Sequence, residues 1–128
     1  MEKITVENFN NSLQKNILDR LVKSGATKYA IRKSNGMDSI EFQKCMEYHQ
    51  ALWDLFRDEV LNKLSEEELI LFFNYEYKRY ETYSQREDDD SKNIAMSSND
   101  MVYQFADALR KGSFDLDEEV EDLASKIR

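Results

Sequence analysis

The sequence predicts an all-α fold, a single domain of about five to six helices. Three observations carry this. Proline is absent. Glycine occurs three times, as Gly25, Gly36 and Gly112, each behind a run with helical periodicity, where a C-terminal cap glycine belongs. Apolar residues recur mostly at steps of three and four. The 128 residues suffice for one hydrophobic core.

Residues 5–24 read as the first helix. Phe9, Leu13, Ile17 and Leu21 are spaced by fours, Leu18 and Val22 widen the stripe, and Gly25 ends it. Residues 26–36 admit two readings. Tyr29, Ala30 and Ile31 suit a short helix, but Thr27, Tyr29, Ile31 and Lys33 alternate, and Asn35 with Gly36 signals a tight turn. A short β-hairpin near 27–42 therefore competes with helix. Helix is preferred, because one isolated hairpin is marginal in a helical chain.

A long helical hairpin over residues 38–83 is the expected centre of the fold. Asp38 serves as its N-cap and Glu41 reaches back. Phe42, Cys45, Met46, His49, Leu52, Trp53, Phe56, Val60 and Leu64 then form one stripe. Ser65 and Glu68 make a capping box, so one helix ends near Leu64 and another starts after Ser65. The second helix carries Leu69, Ile70, Phe72, Phe73, Tyr77, Tyr80 and Tyr83 on its buried side. Trp53, Phe72 and Phe73 are expected in the core. Tyr75, Tyr80 and Tyr83 cannot all point inward with them, so at least one should face solvent or a partner.

An irregular acidic loop is expected near 86–97. Ser97, Ser98, Asn99 and Asp100 then cap a helix carrying Met101, Val102, Phe105, Ala108 and Leu109, closed by Gly112. A last helix starts near Asp115 or Asp117, with Leu116, Val120, Leu123 and Ile127 on one stripe.

The net charge of −8 is unevenly spread. Residues 1–36 hold seven Lys/Arg against three acids, residues 37–86 six against eleven, and residues 87–128 five against twelve. Such a chain should not bind nucleic acid over its whole surface and should be repelled by anionic membranes. A basic protein partner suits it. No apolar run reaches the roughly 18–20 residues of a membrane span. The opening residues lack a signal-peptide layout and Cys45 is the single cysteine, so a cytoplasmic location is expected.

Motifs of catalysis are missing. Cys45 and His49 share a helix face, but two ligands do not make a metal site, and their apolar stripe argues for packing. The acidic runs at 88–90 and 115–119 place Asn93 and Val120 where a calcium loop needs glycine. There is no glycine-rich phosphate loop and no G-x-S-x-G. The expectation is a non-enzyme without cofactor or metal. The basic stretch 20–33 suggests a helix-turn-helix, but counting from Ala30, Ser34 stands where glycine is due.

Glu66, Glu67 and Glu68 have a structural reason at a helix start, where the dipole favours negative charge. The run at 87–90 has none if it lies beyond a helix end. It is the first candidate for a partner-facing patch.

In size, acidity and helicity over its whole length, the chain resembles bacterial immunity proteins. These protect cells from nuclease toxins, including those of contact-dependent growth inhibition systems. The resemblance rests on general character and carries no motif. It implies stoichiometric inhibition, the acidic protein covering the toxin's basic cleft. The expected partner-binding residues are Glu87, Asp88, Asp89, Asp90, Asp117, Glu118, Glu121 and Asp122, with Tyr80 and Tyr83 as aromatic anchors. The competing readings are a DNA-mimicking inhibitor of a defence enzyme, a regulator binding DNA through residues 20–33, and a self-associating adaptor.

Overall fold

The computed structural model describes residues 3–111. Among them the chain forms four α-helices and two single turns of 3₁₀-helix, with no strand. The helices are α1 (Leu13–Asn35), α2 (Ile40–Glu59), α3 (Glu66–Ser84) and α4 (Asp89–Lys111). The last helix expected from the sequence lies outside the described residues, as does Gly112.

Helix α1 begins later and ends later than its pattern suggests. Phe9–Asn11 is a separate 3₁₀ turn, and the Ser12 hydroxyl accepts from the Lys15 N–H to start the helix. The helix then runs straight through Gly25. It ends only at Gly36, whose φ of +88° is left-handed and whose N–H closes on the Arg32 carbonyl. The β-hairpin reading of 27–42 is thereby corrected: residues 27–35 are the last turns of α1. Ser39, not Asp38, caps α2 by accepting from the Phe42 N–H at 3.1 Å.

The centre of the fold is α1 against α4, not a hairpin of α2 and α3. Helix α1 packs on both α2 and α4, and α4 packs on α3, with no comparable seam between α2 and α3. Peripheral α2 buries one narrow stripe: Phe42 and Phe56 are enclosed, Cys45, His49, Leu52 and Trp53 are half-buried, and Met46 is exposed. Helix α2 stops at Glu59, and Leu61–Lys63 makes a 3₁₀ turn before the capping box of Ser65 and Glu68 forms as expected.

Phe9, Phe56, Phe72 and Phe105 meet edge-on or tilted at centroid distances of 5.0–6.4 Å, one ring from each of four elements. This cluster, with Leu18, Leu21 and Leu109, is the core.

The irregular loop expected near 86–97 is helical from Asp89 onward. Ser97 to Asp100 lie mid-helix rather than at a cap. The buried line of α4 is Ser91, Ala95, Ser98, Val102, Phe105 and Leu109, a helical spacing whose first half is too polar to register as apolar. Those small side chains let neighbours come close. Ser97 donates to the Val22 carbonyl of α1, and adjacent Ser98, about 100° round the helix, donates to the Glu76 carbonyl of α3. Two neighbouring serines thus tie α4 to both flanking helices.

Candidate binding groove between α1 and α3

Small side chains on α1 open a cavity. Val22, Ala26 and Ala30 recur every four residues and leave a recess of about 710 Å³ between α1 and α3, floored by Asn93 and Ile94 of α4. Helix α3 supplies the opposite wall with Tyr75, Lys78, Arg79, Thr82 and Tyr83, and Asp90 closes one end.

A network of charged groups stiffens the other end. Asp19 accepts from Lys15 at 2.8 Å, from the Tyr75 phenol at 3.1 Å and from the Arg79 guanidinium. Burial pushes the Asp19 pKa up, but the hydrogen bonds from Lys15 and Arg79 more than offset this and leave it below the ordinary value. Arg79 also lies over the Tyr75 ring and places Nε 3.2 Å from Glu76 Oε1. Glu76 is fully enclosed. Burial raises its pKa to about 7, against the pull of Arg79 and the Ser98 hydroxyl. Its Oε2 has no hydrogen-bond partner among the described residues, which is where a proton belongs on a neutral carboxyl.

The groups left to meet a ligand are therefore different ones. Asn93 is 7% exposed, lines the floor, and its carboxamide has no hydrogen-bond partner among the described residues. Its amide atoms are not themselves enclosed, so they can offer a donor and an acceptor to whatever fills the groove. Lys23 and Lys78 add open cations along the walls, and Asp90 an open carboxylate at the end.

The residues singled out from the sequence divide. Tyr83 and Asp90 come together in the groove. Glu87 is exposed at the turn between α3 and α4. Asp88 caps α4 by accepting from the Ser91 N–H at 3.0 Å, which holds its carboxyl below the usual range. Asp89 pairs with Lys33 at 3.4 Å. These two have structural work the sequence reading denied them. Tyr80 is half-buried against Tyr77 and packs at the edge of the core. Tyr75 and Tyr83 are also half-buried, so none of the three tyrosines is simply solvent-facing. Asp117, Glu118, Glu121 and Asp122 lie outside the described residues. Comparison with known proteins finds no matching family model, no similar curated protein and no similar solved structure.

Asn93, Asp19, Glu76 and Arg79 were not anticipated. A signal existed for Glu76, which sits four after Phe72 and three after Phe73, on the buried stripe itself. Among the described residues, no helix is long and apolar enough to cross a membrane.

Proposed function

We propose that the protein is a non-catalytic inhibitor of the immunity type, which binds a basic protein, a nuclease toxin, in a one-to-one complex. One observation supports this best. Residues 81–90 carry Glu81, Glu87, Asp88, Asp89 and Asp90 against the single cation Arg86, and this acidic turn runs into the groove between α1 and α3 through Tyr83 and Asp90. A basic surface would be drawn to the turn, while a segment of the partner enters the groove. There Asn93 receives hydrogen bonds and Tyr83 offers half-exposed aromatic area, a residue type common at binding hot spots.

The test starts with the tagged full chain as bait in its native host, at moderate salt. A captured basic protein is then purified, mixed with the chain, and assayed for one-to-one binding and for loss of nuclease activity. Binding that blocks the activity supports the proposal. A captured protein that is acidic, or that keeps full activity when saturated, removes it.

A further inference from the structure

A second groove lies on the other side of α1, and its chemistry is opposite to that of the acidic turn. Arg20 and Lys23 of α1 and Lys44 of α2 line a cavity of about 450 Å³, with Ser24, Thr27 and Tyr48. No carboxylate lines it. None of the three cations forms an ion pair among the described residues, a state shared with Lys28, Arg32, Lys78, Arg86, Lys92 and Arg110, so it is their convergence on one cavity without a carboxylate that sets them apart. From Arg20 to Met37 the chain holds five Lys/Arg and no acid. In a protein of net charge −8, three uncompensated cations converging on one cavity mark a place built for negative charge.

The spacing makes them converge. Arg20 and Lys23 are three apart on α1, and Lys44 and Tyr48 four apart on the facing side of α2, so each pair shares a helix face. Arginine can hold a phosphate through two N–H groups, and the lysines add point charges. Tyr48 is 59% exposed and presents a flat aromatic ring at the same cavity. The volume falls within the range of small-ligand pockets.

We propose that the α1–α2 groove binds a small phosphorylated ligand with a planar ring, of nucleotide type, its phosphates among Arg20, Lys23 and Lys44 and its ring on Tyr48. A nucleic-acid strand fits less well. It would leave the groove over exposed Glu41 and Glu47 on the same helix, neither of which is paired among the described residues. This site holds no residue of the acidic turn, but it shares Lys23 and Thr27 with the wall of the α1–α3 groove, so its test uses Arg20, Lys44 and Tyr48, which line this groove and not the other.

The test is titration of the full chain with ADP, pyrophosphate and a single-stranded oligonucleotide at low salt, followed by calorimetry. ADP should bind one-to-one, with a dissociation constant below about 1 mM. Arg20→Ala and Lys44→Ala should each weaken ADP and pyrophosphate about tenfold, the loss expected for one charge-assisted contact. Tyr48→Ala should weaken ADP and leave pyrophosphate unchanged. All three side chains are exposed, so the variants should keep the wild-type helical circular dichroism. The proposal is overturned by absence of ADP binding at about 1 mM, by binding indifferent to Arg20→Ala and Lys44→Ala, by equal effects of Tyr48→Ala on both ligands, or by an oligonucleotide that binds more tightly than ADP.

Discussion

The Ser97 hydroxyl occupies the space that a side chain on Gly25 would need. A Cβ built on Gly25 collides with Ser97 Oγ and comes within 3.1 Å of His49 Cε1. Ser97 is held there by its bond to the Val22 carbonyl, and His49 by a 2.6 Å contact between Nδ1 and the Ser24 hydroxyl. Glycine is thus retained in mid-helix so that α1 can approach α4 and α2 together.

Gly25→Ala should therefore destabilise the protein. Helix propensity alone would favour alanine by about 1 kcal/mol. Overpacking of an enclosed contact costs about 1–3 kcal/mol and should win. Ser97→Gly in the same chain should recover part of the loss. Urea unfolding of the two single variants and the double variant measures this coupling, and a Gly25→Ala protein as stable as wild type would show that α4 yields easily there.

The same glycine shows why the sequence pattern misplaced the end of α1. A glycine behind an apolar stripe reads equally as a cap or as a point of close approach. Only the partner helix decides, and α4 was itself hidden. Its contact line begins with Ser91, Ala95 and Ser98, which bury small polar or near-neutral surface and give hydrophobic periodicity nothing to detect. By contrast, the capping box at Ser65 and the aromatic stripe of α3 were legible because both are local chemistry. Of the candidate site, Tyr83 and Asp90 could be picked from the sequence. Asn93 could not, because nothing local says that a polar residue of α4 will form the floor of a groove between two other helices.

Glu68 joins two such local and distant roles. Its Oε1 accepts from the Ser65 N–H at 2.9 Å in the capping box, and its Oε2 from the buried Ile4 N–H at 2.8 Å. Ser65→Ala should cost about 1 kcal/mol, the usual value for a lost cap. Glu68→Ala should cost more, because it also strands the Ile4 N–H inside the fold, at about 1–3 kcal/mol for an unsatisfied buried donor. Thermal melts rank the two. Glu68→Ala should also speed amide hydrogen exchange at Ile4, and Ser65→Ala should not.

The acidic turn must be probed without touching its structural members. Asp88 caps α4 and Asp89 pairs with Lys33, so reversing either one mixes folding with binding. Glu87 and Asp90 carry no partner among the described residues and are the clean pair. Glu87→Lys with Asp90→Lys should lower the melting temperature only slightly, by the dipole contribution of about 0.3–1 kcal/mol that Asp90 makes in the first turn of α4. It should slow association with a basic partner about tenfold or more at low salt and flatten the salt dependence, because steering is electrostatic. Stopped-flow association at two ionic strengths reads both. Unchanged rates would remove the turn from the interface.

Glu76 should make stability depend on pH in the direction opposite to a paired carboxylate. In the fold it titrates at about 7, raised by burial, and in the unfolded chain near its ordinary 4.5. Between those values the native state keeps a proton that the unfolded state has released. Stability therefore falls as pH rises from about 4.5 to 7 and levels off above, by a total of about 3 kcal/mol. Other groups slope the other way, among them Asp19, His49 and Glu68, whose carboxyl is lowered by the Ser65 and Ile4 N–H groups. Asp19, with its pKa lowered, loses stability only on acidification through the carboxylate range. His49, kept neutral by burial and by nearby Lys28, loses it as pH falls below 6.5. The raw profile of the wild type is thus a compromise, and a difference between two proteins isolates Glu76. A glutamine amide has the shape of the neutral carboxyl and does not titrate, while Arg79 keeps Asp19 as its partner. Glu76→Gln should match the wild type near pH 5 and exceed it at pH 8 by a few kcal/mol in urea unfolding. Parallel profiles would mean that Glu76 ionises in place with Arg79 and Ser98 stabilising it fully, and the enclosed proton on Oε2 would have to be given up.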